Sequence, residues 1–569
     1  MFVKITASGT RRYVQLVESF RDENGAVRKR TVATLGRVDQ LRGELDSVID
    51  GLLKVAGRDP AATPEVTFES ARSFGDVWTL TQLWNSLGFG ELRRTFRRTR
   101  HTSDVEALIR VMVFNRLCDP DSKLGVLRWL GTVALPEIDL EGITHQQLLR
   151  SMDALVDHHV AVDAVVAGLL RPMIDQDLSV VFYDLTTIRT EGLSTQAGDV
   201  RQFGMAKEGL IARQVLLGVV QTAQGLPIYH EVFDGNAAET RTLLPTLEKI
   251  MARFASVRRL VLVADRGLLS LDNLAALKAV RLTSGEPLEF ILAVPGRRYN
   301  EFIDVIGPWH ASDCEHAITE VMTERQWEGL RLVIAHDPVR GAIQSQRRNE
   351  RMDALIAQAN AWAGKLDGQD AGISQRGRKL SDSGAKARFF HAVAEAHLSK
   401  IIKVDLKSDL FTYDTDERAL ALAQMMDGKL LLVTNSPNSP AAGALATADV
   451  IARYKSLADI ERGFKVLKSE LEIGPVYHRL PERIRAHASI CFMALILYRV
   501  MRWRLKAAKA NLTPERALEC LRRIQHHRIR LNDAAEPITG LSSISAEQSS
   551  TLNALNVRKP IASKQLALL

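Results

Sequence analysis

The sequence predicts an α/β protein with a mainly helical N-terminal region and a basic helical C-terminal region. Two observations carry that class. From Leu178 the runs SVVFYDLTT, ARQVLLGVVQT and LPIYHEVFDG follow one another as short β-branched or apolar segments bounded by Gly, Gln and Asn, the pattern of a strand meander. A helix (ETRTLLPTLEKIMARF), a strand (RRLVLVAD), a second helix (SLDNLAALKAV) and a further strand (EFILAVP) come next, and that alternation marks an α/β core.

The elements can be justified in order. The opening VKITASGTRRYVQLVESFRDENGAVRKRTVATLG alternates apolar and polar residues on both sides of Asp22-Glu23-Asn24-Gly25, so residues 1–72 are expected to hold a β-hairpin and a helix. Residues 73–177 read as helices, from the apolar spacing in DVWTLTQLWNSLGF, DVEALIRVMVFNRL and HHVAVDAVVAGLLRPMI. Arg93, Arg94, Arg97, Arg98 and Arg100 cluster there around Phe96, which marks 73–177 as a candidate DNA-binding region or a solvated face. Residues 178–295 form the first part of the core. From 296 to 427 polar, basic stretches such as QSQRRNERMD interrupt it, and this reads as an insertion domain in which NERMDALIAQANAWAGKL and KARFFHAVAEAHLSKII are helical in character. The strand KLLLVTN and a long helix restore the core over 428–475, and 476–569 is the basic helical tail.

Composition limits the function. Of 569 residues, 46% are hydrophobic and 25% charged, which excludes a disordered or fibrous chain. The longest apolar run, Ala488 to Tyr498, is about half of the roughly 20 residues a bilayer-spanning helix needs, so no membrane segment is expected and a cytoplasmic protein is. Cys118, Cys314, Cys491 and Cys520 lie far apart without a C-x-x-C pair, which suggests neither a disulfide framework nor a zinc site. The net charge is +8, yet residues 475–569 alone hold 16 Lys and Arg against 6 Asp and Glu, a net of +10. That local excess suits phosphate binding, and it equally suits a solvated Arg-rich helix face.

Three acidic residues are candidates for chemistry. Asp184 ends the run VVFYD and Asp265 ends LVLVAD, and a carboxylate at the end of a buried strand sits on rigid backbone at the sheet rim, where α/β folds place ligand groups. Taken singly, each also reads as the cap of a turn. Between Ile451 and Leu471 a helix is expected to bury Leu457, Ile460, Phe464, Leu467 and Leu471. Tyr454, Glu461 and Lys468, seven residues apart, then form one ladder at its margin, either a ligand with phosphate-holding neighbours or an ordinary helix boundary.

VVFYDLTTI, PIYHEVFDGNAAETRTL, LVLVADRGLLS and YKSLADIERGFKVLK, in this order and spacing, resemble the DDE-type insertion-sequence transposases of bacteria, in the branch with a tyrosine-arginine-glutamate-lysine signature. The resemblance covers about Leu178 to Arg502, and NRLCDPDSKL upstream is also similar. It implies an RNase H-like catalytic core, a mixed sheet flanked by helices and interrupted by the insertion domain. It further implies that Asp184, Asp265 and Glu461 are catalytic and bind two Mg²⁺ ions, for which Mn²⁺ would substitute. Hard cations of this kind take oxygen ligands. Where the signature has arginine this chain has Leu457, and Arg462 or Lys465 are the nearby cations that would stand in for it.

The implied activity is cleavage at the inverted-repeat ends of an insertion sequence and strand transfer into target DNA. The implied partners are double-stranded DNA and a second copy of the chain assembled on it, in association with the bacterial nucleoid. Tyr454 and Lys468 would hold the scissile strand, beside a loop holding Gly235, Asn236 and Thr240. Arg499, Arg502 and Arg504 in LYRVMRWRLKAAK are expected phosphate contacts. Trp327 and Trp362 read as core residues more readily than as base-stacking ones. The alternatives are a captured transposase that binds DNA without strand transfer, an RNase H-like nuclease that cuts without joining, and a metal-independent protein whose Asp184 and Asp265 are turn caps.

Overall fold

The computed structural model describes the chain apart from residues 24, 42–44, 58–65, 98–102, 175–180, 193–197, 206–210, 255–256, 258, 265–270, 374–378, 439–443, 458–462, 532–535 and 561–569. It divides into two compact units. The first begins with an antiparallel meander of β1 (Phe2–Ser8), β2 (Arg11–Arg21) and β3 (Val27–Arg37). The Asp22 N–H donates to the Ala26 carbonyl at 2.9 Å and closes the β2–β3 turn, so the hairpin read around Gly25 has a third strand before it. Leu45–Val55 is helical, and β4 (Val66–Ser73) follows.

The second unit opens with helices Gly75–Leu87, Leu92–Arg97, Val105–Cys118, Lys123–Leu130, His145–Asp157 and His159–Leu170. Trp84, Ile109, Met112 and Phe114 are fully buried there, and Pro481–Ala507 passes among these helices. By length and composition that 27-residue helix is apolar enough to cross a membrane, although the apolar run read from the sequence was only half as long as needed. However, 89% of its most apolar window is buried inside the protein, the pattern of a core helix.

Against this helical layer lies a sheet that, among the described residues, joins nine strands. It contains β5 (Val181–Arg189), β6 (Gln202–Met205), β7 (Ile211–Thr222), β8 (Pro227–Asp234), β9 (Val261–Ala264), β10 (Glu289–Ala293), β11 (Val321–Trp327), β12 (Leu330–His336) and, later in the chain, β15 (Lys429–Thr434). The order β8-β7-β5 is antiparallel, β9 and β10 continue it parallel to β5, and β15, β12 and β11 extend it antiparallel. Strand alternation sends Val215, Leu217, Val219, Val261 and Val263 into the core shared with Pro481–Ala507, and Leu216, Val220, Leu262 and Ala264 into the opposite one. β8 and β6 share one edge of β7, meeting at Gln214, whose side-chain amide donates to the Gly235 carbonyl at 2.9 Å. Gly235 is required there, because a Cβ would lie 2.0 Å from the Gln214 carbonyl oxygen.

The insertion boundary read as 296–427 moves. In LRLVIAH, Arg331–His336 pairs with β15 and the whole strand is buried, so Leu330–His336 belongs to the main sheet. The segment with its own core runs between the neighbouring strands β12 and β15. It comprises helices Pro338–Asp370 and Asp382–Glu395, the small ladder of β13 (Ile402–Val404) with β14 (Tyr413–Thr415), and helix Glu417–Met426, around Leu355, Ala359, Phe389 and Phe411.

The basic tail is helical only in part. After Pro481–Ala507 and Pro514–Arg522 come β16 (Gln525–Leu531) and β17 (Ile538–Leu541), then helix Ala546–Ala554. β16 and β17 belong to the first unit, where β16 lies between β17 and β4. QHHRIRL is extended because alternate residues Arg528 and Arg530 both reach Glu69 of β4, at 2.8 and 2.5 Å.

Candidate active site

Asp184 lies within β5, with its backbone opposite Val219 of β7. That position belongs to the sheet face whose Val215, Leu217 and Val219 pack with Phe464, Val466 and Leu467. On the other side of β5, Tyr183 is the register partner of Ala264, the last residue of β9. Asp265 follows Ala264 in sequence but lies outside the described residues, as do Glu461 and Arg462.

The chain resumes after Glu461 in close contact with this sheet face. A Cβ on Gly463 would come within 2.6 Å of Arg499 Nη2 and 3.0 Å of the Gln221 amide. Gln221 is the register partner of Phe182, two residues before Asp184. Without a side chain, Gly463 leaves room there for the ends of the Arg499 and Gln221 side chains. The structure therefore brings the chain two residues past Glu461 to the sheet two residues from Asp184. Gln221, Gly463 and Arg499 are the described residues that join these two parts.

The expected single helix over Ile451–Leu471 differs in form. Thr447–Lys455 is α-helical, while Val466–Glu470 is a π-helical turn in which the Leu471 N–H reaches back five residues to the Val466 carbonyl, at 2.9 Å. The wider turn adds a residue, so Val466 is buried along with Phe464, Leu467 and Leu471, and the seven-residue ladder is offset after Lys465. Tyr454 and Leu457 are partly buried against the core, Ile460 lies outside the described residues, and Lys465 and Lys468 are exposed.

The expected row of phosphate contacts on the last long helix splits. Arg499 is 7% exposed and donates to Gln221 Oε1 at 3.4 Å, because the helix is buried on that side, so it is not a surface contact. Arg504 donates to the Leu555 carbonyl at 2.9 Å and to Ser86 Oγ at 3.4 Å, and burial pushes its pKa down. These bonds commit it to the fold. Arg502 is partly exposed. In the upstream Arg cluster, Arg93 pairs with Asp104 at 2.8 Å and Arg94 with Glu91 at 2.7 Å, while Arg98 and Arg100 lie outside the described residues.

Gly235 and Asn236 follow β8, and Thr240 lies in helix Glu239–Arg253. Trp327 stacks edge-on to Phe302, and Trp362 packs with Phe389 and Phe411 in the inserted segment, so both are packed core aromatics. Among the described residues no group of three His, Cys, Asp or Glu side chains is placed to hold a metal. The sequence-derived donor set of three carboxylates is nonetheless the chemistry Mg²⁺ or Mn²⁺ takes.

Residues 3–64, which span the β1–β3 meander and the helix after it, match the family model of the IS1634 family transposase, N-terminal domain. This match supports an insertion-sequence transposase. No curated protein matches the chain. Among solved structures, a cryo-EM structure of a piggyBac transposase synaptic complex with hairpin DNA aligns with a TM-score of 0.35 at 9% identity, over 78% of this chain and 75% of that one.

Proposed function

We propose that the protein is a DNA transposase of an insertion sequence, which cleaves at the inverted-repeat ends of its element and joins the freed ends to target DNA. The match of residues 3–64 to an IS1634 family transposase N-terminal domain carries this reading. The order β8-β7-β5-β9-β10, three antiparallel strands continued by two parallel ones and flanked by helices, supports an RNase H-like core. The approach of Gly463 to Gln221 supports a site made from Asp184, Asp265 and Glu461.

In this reading Asp184, Asp265 and Glu461 would hold two Mg²⁺ ions, which when bound would supply activation of the attacking oxygen and stabilisation of the leaving one. The chain's own groups position the strand. Lys468 and Lys465 are exposed cations suited to flanking phosphates, and Tyr454 anchors the segment against the core. Arg499 donates to Gln221 and supplies a buried positive charge beside Gly463. Base reading falls to elements outside this site, since phosphate chemistry carries no sequence information. Pairing of two element ends calls for two copies of the chain on DNA.

The test is a cleavage and joining assay with Mg²⁺ on a duplex carrying the DNA that flanks the gene, run beside Asp184→Asn and Glu461→Gln. Joined products from the native chain and none from variants of unchanged melting temperature support the proposal. Cut but unjoined ends point to a nuclease, and tight binding without product to a DNA-binding protein.

A further inference from the structure

A cavity of about 530 Å³ lies between the start of helix Lys123–Leu130 and the segment leading into helix Pro481–Ala507. Lys123, Arg116, His478, Arg479, Arg483 and His487 line it. Lys123 is only 5% exposed, yet among the described residues it has no ion pair or hydrogen bond. Arg116, 4% exposed, donates through Nη1 to the Leu471 and Glu472 carbonyls at 3.4 and 3.3 Å and through Nη2 to the Asp121 carbonyl, while its Nε has no partner. His487 Nε2 donates to the Ile473 carbonyl at 2.9 Å and its buried Nδ1 is also unpartnered.

Buried polar atoms without partners are rare, and two around one cavity, Arg116 Nε and His487 Nδ1, beside the unpaired Lys123 ammonium indicate a missing ligand. Its charge follows from the balance. Of the carboxylates lining the cavity, Asp121 is engaged by Arg128 at 3.1 Å, and Glu472 is exposed. Arg483 is matched by Asp153 at 2.8 Å, which leaves Lys123 and Arg116 uncompensated inside. Burial and the Arg116 charge push the Lys123 pKa down to about 7, a cost that an anion would offset. Burial first, and then the same two cations, push the His487 pKa well below its usual value, and an anion would offset the cations' part of that shift. At the mouth, Tyr477 is 70% exposed. A larger cavity of about 870 Å³ lacks these features, since its Glu231 is engaged by Lys249 and Tyr229, its Asp163 by Arg253 and its His230 by Ser489.

We propose that the Lys123 cavity is a phosphate site for a nucleic-acid strand, with the phosphate held by Lys123 and Arg116 and a base stacked on Tyr477. The phosphate site stands without the transposase reading, whereas its assignment to a DNA strand rests on that reading. Stacking of a base on an exposed aromatic tolerates any sequence.

The full-length protein is tested in two arms. In the first, inorganic phosphate is titrated against melting temperature for the native chain, Lys123→Met and Tyr477→Ala. The native chain and Tyr477→Ala should be stabilised and Lys123→Met should not; an equal shift in all three overturns the site. In the second, a fluorescent single-stranded oligonucleotide should bind about tenfold more weakly to Lys123→Met, the loss of one charge-assisted hydrogen bond, and more weakly to Tyr477→Ala. A phosphate response with unchanged oligonucleotide affinity in both variants overturns the strand assignment and leaves free phosphate as the ligand. If the native chain binds no DNA but keeps the phosphate response, the transposase reading fails and the site survives. Lys123→Gln serves in place of Lys123→Met should the latter not fold.

Discussion

Replacing Lys123 by methionine should stabilise the protein, and the gain should depend on pH in a defined direction. A buried ammonium without a partner is disfavoured relative to the unfolded chain, and its pKa falls from 10.5 to about 7. At about 1.36 kcal/mol per pH unit, that difference corresponds to about 5 kcal/mol of stability lost when the lysine is charged. Because the folded pKa is the lower one, the unfolded chain binds the extra proton between about pH 7 and 10.5. The cost is therefore full below pH 7 and disappears as pH rises to 10.5. Methionine keeps most of the side-chain volume at a packing cost of about 1 kcal/mol, so the net gain near pH 6 should be about 2–4 kcal/mol. Melting curves in phosphate-free buffer at pH 6 and pH 9.5 would measure it. A variant no more stable than the native chain at pH 6, or equally favoured at both pH values, would refute the reasoning.

Two further outcomes follow from the fold. Gly235→Ala should lower the unfolding free energy measured by chemical denaturation by about 3 kcal/mol, because the added carbon meets the Gln214 backbone and separates β7 from its edge partners. His230 and His478 have pKa values lowered from 6.5 to about 4, chiefly by burial, so the unfolded chain takes up protons first as the solution is acidified. Melting temperature should fall as pH drops from about 6.5 to 4, and His478→Gln should flatten that fall.

Much of the core was legible because local pattern and tertiary role agree there. VFYD, LLGVVQT and VLVA are strands in the sheet, and Asp22 and Gly25 mark a true turn. Where they part, the sequence misleads. QHHRIRL has no apolar face and reads as a helical tail, yet its arginines find Glu69, more than 450 positions earlier in the chain. The π-helical turn at Val466–Glu470 leaves no trace in composition, since apolar residues at three- and four-residue spacing also fit an unbroken α-helix. In sequence Arg499 looks no different from Arg502 and Arg504, and only the packing of its helix on the sheet places it beside Gly463 and Gln221. Lys123, next to the helix cap Ser122, reads as a surface lysine, and residues some 350 positions later bury it.

The three-stranded sheet of β4, β16 and β17 carries a consequence for biosynthesis. β4 ends at Ser73, but its neighbour begins at Gln525. A ribosome delivers the chain from its N-terminus, so β4 waits with an unpaired edge while more than 450 residues are translated, long after the β1–β3 meander can close. Such distant pairing is slow, and a chain interrupted before Leu541 never completes it. Prematurely terminated chains should therefore expose the β4 edge to proteases and to aggregation, a built-in discrimination between finished and unfinished copies.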